Sequence, residues 1–276
     1  MKQTHLLNTR SLGAQTSRNP CVQIYQYTVM TSKIVTEIYA DILKKIKEPS
    51  VERTVWSADA GQLAVCLIEF RNHPYMEKVL HNMCNIYGGT DVMLYIIHGN
   101  NNNDLITNIV AGWTNVKRIR LNFDNISINT YNQLLTNSST YEYFDTEFVL
   151  VFQTDSLIRK RIPPKFFTYS YVGAPWKGQK YSFRNDKMVG NGGFSLRKVN
   201  RMKNLLNINK RNPKSNLNED IFITNHLSDD EIPSVEIAQT FSVEKIYDED
   251  PVGMHKVWEY LRIDLVRKLM NVIIEP

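Results

Sequence analysis

The sequence predicts an α/β protein built on one doubly wound, mostly parallel sheet. Three observations lead there: apolar runs of strand length that are too continuous to be half-exposed, helical patterns between them, and polar clusters where the runs end. Leu63–Phe70 (LAVCLIEF) is the first such run, followed by a helix over Pro74–Tyr87 that Gly88–Gly89 closes. Val92–His98 (VMLYIIH) reads as the second strand, and the Asn-rich stretch Gly99–Asp104 as a turn. Leu105–Gly112 is a short helix, Val116–Leu121 a third strand, and Asn129–Phe144 a further helix before the apolar strand Phe148–Phe152. Ahead of these, Ile34, Ile38, Ile42 and Ile46 recur every four residues within Thr31–Glu48. That spacing predicts an amphipathic, core-packing helix stopped by Pro49, preceded by a polar tail without a clear period over residues 1–30.

The chain has 276 residues, with 33 Lys and Arg against 28 Asp and Glu, a formal net charge of +5. At roughly 100–200 residues per domain this is one large domain or two small ones. A chain of this length buries about three quarters of its unfolded surface and needs no disulfide or metal to fold. Hydrophobic residues at 42% and charged residues at 22% exclude a disordered chain. Cys21, Cys66 and Cys84 are too few for a disulfide framework and fit no zinc spacing, which points to a reducing, cytoplasmic setting. No apolar run approaches the 18–20 residues or so of a membrane span, and Met1–Pro20 lacks the apolar centre of a signal peptide. Sequons at Asn125 and Asn137 matter only in a secretory lumen. Heavy use of Asn, Ile, Lys and Tyr suits an AT-rich genome; for a viral protein the setting would be the host cytoplasm or the virion. The basic residues are dispersed among acidic ones, so no nucleic-acid partner is expected, and the modest positive field suits a phosphate-bearing ligand.

Ligand sites of open α/β sheets lie beyond the carboxyl ends of the strands. Three strands end there in polar clusters: Glu69, Arg71, Asn72 and His73; His98, Gly99 and Asn100; and Gln153, Thr154, Asp155 and Ser156. The last cluster either places a carboxylate at the functional edge or caps a following helix. In Tyr169–Trp176 (YSYVGAPW), Gly173 and Pro175 predict a loop that presents Trp176 for stacking on a sugar or base, a core Trp being the alternative. Val189–Lys198 (VGNGGFSLRK) predicts a glycine-rich turn with a helix after Ser195. It is neither a Walker motif nor a dinucleotide fingerprint. Asn218–Ile223 sets Glu219 and Asp220 at the start of a short apolar helix, an arrangement the helix dipole alone favours. Asp248–Trp258 brings His255 and Trp258 close to a Pro–Gly turn, and Trp258–Ile274 reads as a terminal amphipathic helix.

Five stretches follow in this order: Phe152–Ile158 (FQTDSLI), Tyr171–Trp176 (YVGAPW), Gly190–Arg197 (GNGGFSLR), Asn218–Phe222 (NEDIF) and Met254–Trp258 (MHKVW). Together they resemble the GT-A class of nucleotide-sugar-dependent glycosyltransferases, and more closely an uncharacterised domain family placed beside that class. The resemblance runs from Leu63 to Trp258. It implies one Rossmann-like, GT-A-like domain over residues 51–276 with a mixed, mostly parallel sheet. Residues 51–156 would be its nucleotide-binding half, 157–276 its acceptor and catalytic half, and 1–50 an N-terminal tail and helix. The implied activity moves a sugar from a nucleotide-sugar donor to a hydroxyl of a glycan or protein acceptor. The implied cofactor is a divalent cation, Mn²⁺ or Mg²⁺, held on the donor diphosphate by Asp155 with His255 completing its shell. Asp220 matches the acceptor-activating base, with Glu219 second. The donor-binding positions are Glu69, Arg71, Gln153, Thr154, Asp155, Ser156, Trp176, Asn191, Gly192 and Gly193, and Arg71 or Arg197 would offset phosphate charge. The chain departs from the class in having Gln-Thr-Asp-Ser where two spaced carboxylates are usual. That departure keeps a catalytically silent nucleotide-sugar or carbohydrate-binding module as the alternative, with a nucleic-acid-binding protein third.

Overall fold

The computed structural model describes residues 37, 39–59, 61–177 and 188–274. Strand β1, Leu63–Glu69, is buried along its whole length because both faces of the sheet are covered. Leu63, Val65 and Leu67 join one apolar core, and Ala64, Cys66 and Ile68 the other. The same alternation divides β2, Met93–His98, and β4, Phe148–Phe152, between the two cores, as a period of two requires. With β3, Lys117–Arg120, these strands run parallel. After the short helical segment α1 over residues 39–44, their crossovers include helices α2, Met76–Tyr87, α3, Asn103–Ile109, and α4, Ile128–Leu135.

Beyond β4 the chain makes a short strand β5, Ser156–Ile158, then β6, Tyr171–Pro175, and the long β7, Val189–Lys198. The main sheet has the order β3-β2-β1-β4-β7-β6, and β7 lies antiparallel to both of its neighbours. The fold is therefore α/β with a mixed, mostly parallel central sheet. Helices α5, Val199–Ile208, α6, Glu219–Thr224, and α7, Val235–Phe241, follow β7. A second sheet of three short strands has the order β5-β9-β8, with β8 at Ser242–Val243 and β9 at Gly253–His255. Its strands are too short to carry a period, so the sequence pattern does not signal them. The chain closes with α8, Val257–Tyr260, and α9, Ile263–Ile274, separated by an extended Leu261.

Three expectations are corrected. The helix over Asn129–Phe144 stops at Leu135 and resumes as a 3₁₀ turn, Ser138–Tyr143. Thr136 bonds back to the Asn132 carbonyl and the Asn137 side chain accepts from Ser139 N–H, so local side-chain bonds replace the ladder. The glycine-rich segment is a strand to Lys198, and its helix starts at Val199. The terminal helix is two helices. At the other end, Ile34, Ile38 and the tail over residues 1–30 lie outside the described residues. The helical residues 39–44 are followed by a short turn, and Tyr39, Ile42, Leu43 and Ile46 are buried in the same core as Leu63, Val65 and Leu67.

Glu231 fastens the outer end of β6 to α5. Its carboxylate takes Arg201 in a two-pronged pair at 2.6 and 3.0 Å, with Ser170 and Ser228 donating as well. Arg201 is the main cause that brings its pKa down to about 2. A depressed folded-state pKa adds stability above the unfolded value of 4.5, and that stability is lost as pH falls toward 2. Urea denaturation of wild type and Glu231→Gln across this range is expected to show a wild-type advantage at neutral pH that shrinks steadily below about 4.5.

Candidate functional site

A cleft of about 410 Å³ opens beyond the carboxyl ends of β1 and β4. Ile68, Phe70, Ile126, Ile128 and Tyr131 line it with apolar surface, and Glu69, Arg71, Asp155 and Lys256 with charge. Glu69 closes β1 and turns its carboxylate back on the next residues. Oε1 accepts from the backbone N–H groups of Phe70 and Arg71, and the Arg71 guanidinium pairs with both oxygens at 2.8 and 2.7 Å. Burial opposes the charge of Glu69, but Arg71 more than offsets it and holds the pKa below the usual range. The Thr154 hydroxyl donates to Glu69 Oε2 at 3.2 Å, tying the end of β4 to the end of β1.

No helix follows Gln153-Thr154-Asp155-Ser156. Ser156 starts β5, whose antiparallel pairing sets Ser156 opposite His255 on β9. That register brings His255 Nε2 to 3.3 Å from Asp155 Oδ1 and 3.2 Å from Gln153 Oε1. On the far side of the ring, Nδ1 lies 3.4 Å from Glu244 Oε1, which Asn191 Nδ2 also reaches at 3.3 Å. Burial would discharge the imidazole, but the two flanking carboxylates win and raise its pKa to about 9. Asp155 is held below its usual value, since His255 and then Lys256 outweigh the cost of burying it. The next residue, Lys256, adopts a left-handed backbone with φ 49° and ψ 28°. Its N–H donates to the Asp155 carbonyl at 3.0 Å, and its ammonium lies 3.7 Å from Asp155 Oδ2.

Strand β7 passes between these groups and helix α6 with no side chains at Gly192 and Gly193. A Cβ at Gly193 would overlap the His255 ring, and one at Gly192 the Glu219 carboxylate. Gly193 O accepts from Gln153 N–H and the Ser156 hydroxyl, and Gly192 N–H donates to Asp220 Oδ2 at 3.0 Å. Burial, and then the neighbouring Glu219, push the Asp220 carboxyl up to about 7. Glu219 is committed elsewhere. It pairs at 3.0 Å with Arg197, which is fully buried and also donates to Ser195 and Tyr141 and stacks over the Tyr171 ring.

The family described as "Protein of unknown function (DUF5672)" matches residues 114–255, more than half of the chain. The chain belongs to this family. No curated protein matches it. Among solved structures, a galactosyltransferase, LgtC, in complex with donor and acceptor sugar analogs aligns over 75% of this chain and 95% of its own, with a TM-score of 0.52 and 11% identity. An active-site mutant of LgtC aligns over 70% of this chain and 86% of its own, at 15% identity and a TM-score of 0.49. The likeness is one of fold: this DUF5672 chain has the GT-A-like architecture.

Several expected site residues are gathered and others are not. Glu69, Arg71, Gln153, Thr154 and Asp155 line one cleft, and His255 stands directly behind Asp155. Ser156 and Asn191 act as braces, on Gly193 O and Glu244 respectively. Asp220 does not line that cleft; it sits across β7, bonded to Gly192. Trp176 is buried at the end of a strand and is not presented by a loop. Gly173 serves the close pairing of β6 with β7, where a Cβ would overlap the Asn191 carbonyl. Arg197 is sealed in its pair with Glu219, so neither residue is free for phosphate or for proton transfer. Pattern reading missed Tyr131, Glu244 and Lys256. Lys256 had a signal in its place directly after His255, and the other two had none.

The divalent ion that a GT-A-like fold implies does not suit the donors present. Such an ion needs several oxygen ligands. Asp155 is the one cleft carboxylate not already bound by an arginine, Gln153 supplies a neutral amide, and His255 is lodged between Asp155 and Glu244. The ammonium of Lys256 already stands at Asp155, and among the described residues no group of three His, Cys, Asp or Glu could hold a metal.

Arg197 is where removing one charge has the clearest consequence. Truncation strands Glu219 in a buried site without its cation, which costs about 3–5 kcal/mol. Arg197→Met is therefore expected to lower the unfolding free energy by about that amount in urea denaturation, and Arg197→Met with Glu219→Leu to recover most of it.

Proposed function

We infer that this chain is a glycosyltransferase that draws a sugar from a nucleotide-sugar donor and places it on an acceptor hydroxyl. The observation that carries the reading is the cleft beyond β1 and β4. Its apolar wall suits a nucleoside, and its cations at Arg71 and Lys256 suit a diphosphate. Glycine backbone at Gly192–Gly193 lies beyond it, and the carboxyl of Asp220 beyond that.

The roles follow from the chemistry. Arg71, fixed by Glu69, offers guanidinium donors to phosphate oxygens, and Asp155 orients the cations and sugar hydroxyls around it. Asp220 accepts the proton of the acceptor hydroxyl as that oxygen bonds to the anomeric carbon. The bond from that carbon to the diphosphate breaks, its electron pair leaves with the diphosphate, and the proton remains on Asp220. A carboxyl titrating near 7 is well matched to taking a proton at neutral pH. Gln153, a neutral amide in the strand-end cluster, favours the second reading, a silent nucleotide-sugar-binding module.

Titration of nucleotide-sugars followed by thermal stability, with a parallel assay for nucleotide release, separates the two. Binding with release supports the transferase, and binding without release supports the module. If no nucleotide-sugar binds, both are wrong. For the transferase, kcat/KM is expected to rise with pH and level off above about 7, because the base must be ionised. Asp220→Asn is expected to keep donor affinity while turnover falls by roughly 10²–10⁴. Full turnover by that variant removes Asp220 from its role.

A further inference from the structure

We propose that Lys256 takes the place of the divalent ion at the donor diphosphate, so that this chain binds nucleoside diphosphates without metal. The inference rests on the nucleotide-sugar reading and extends it to the source of the positive charge.

Three observations support it. The ammonium lines the cleft 3.7 Å from Asp155 Oδ2, beyond hydrogen-bond distance, and among the described residues it makes no hydrogen bond. It is thus a cation held by charge at Asp155, and among the described residues none of its three donors is committed to a hydrogen bond. The backbone that delivers it is one of only two described non-glycine positions at positive φ. Left-handed backbone at a lysine is an unfavourable conformation kept where the surroundings impose it. Here the imposition is visible: Lys256 N–H bonds to the Asp155 carbonyl, and Lys256 O accepts from Glu259 N–H to start α8. Finally, the residues that would ligate an ion are already engaged with one another. Gln153 bridges Tyr131 and His255, and His255 spans Asp155 and Glu244. Arg71 supplies the second cation, kept in place by its two bonds to Glu69.

The test uses the full-length chain and calorimetric titration with uridine, guanosine, adenosine and cytidine diphosphates, in EDTA and again with Mn²⁺. Wild type is expected to bind one of these in EDTA with an affinity within about threefold of that in Mn²⁺. Lys256→Met is expected to weaken binding in EDTA by about tenfold or more, the usual scale for a charge-assisted contact, and Lys256→Arg to restore most of it. Circular dichroism and the thermal midpoint of each variant establish that it is folded. Lys256→Met binding like wild type in EDTA overturns the proposal. So does a wild type that binds only with Mn²⁺, an outcome that leaves the nucleotide-sugar reading intact. A wild type that binds none of the diphosphates in either condition overturns both.

Discussion

The site depends on one steric fact, the absence of side chains at Gly192 and Gly193 where β7 runs between the β9 strand and helix α6. With bare backbone there, an imidazole presses against one glycine and a helical carboxylate against its neighbour. The exposed peptide groups then become partners in their own right. Gly193 O collects the Gln153 N–H and the Ser156 hydroxyl, and Gly192 N–H reaches Asp220. Any side chain at either position would push His255 off its carboxylates or Glu219 off Arg197. The glycines therefore serve close approach more than turning, and Gly190 alone of the three has positive φ.

That approach creates an electrostatic problem, which the fold answers differently for two adjacent acids. Glu219 and Asp220 begin the same short helix and are both buried. The buried guanidinium of Arg197 is spent on Glu219, and the net effect of that ion pair is to leave Asp220 next to an anion. Desolvation and this like charge together hold Asp220 near the point where it exchanges a proton at neutral pH. Two neighbouring carboxyls are thereby given different work. One is tied through Arg197 to Tyr141 and Ser195, and the other accepts backbone N–H groups of Gly192 and Ile221 with its pKa raised to about 7.

Legibility from sequence follows the same division. Strands such as Leu63–Glu69 and Phe148–Phe152 were readable because burial on both faces leaves an unbroken apolar run. Asp155 was readable because such a run stops abruptly in polar residues. The partnership of Asp155 with His255 was legible only as an order of motifs, since it depends on the three-residue strands β5 and β9 pairing across about a hundred residues. Trp176 was misread because Gly173 and Pro175 mark turns in most settings. In this chain the glycine admits a neighbouring strand and the proline ends one paired at Val189. Glu244 gave no sign, because its meaning arises from His255 and Asn191 reaching it in space.

The two cation-bearing loops of the cleft are also mechanically joined from outside the region that the family match covers. Tyr39, in the N-terminal helical segment, stacks on Trp258 with ring centres 3.7 Å apart and meets Tyr75 edge-on at 5.4 Å. Tyr75 in turn packs against His73. Trp258 lies two residues beyond Lys256 and His73 two beyond Arg71, so one buried phenol ring braces both loops. The Tyr39 hydroxyl is buried with no hydrogen-bond partner among the described residues, and burial together with the charge of Asp155 raises its pKa well above normal. The N-terminal segment is thus packed against residues that follow both cations in the chain.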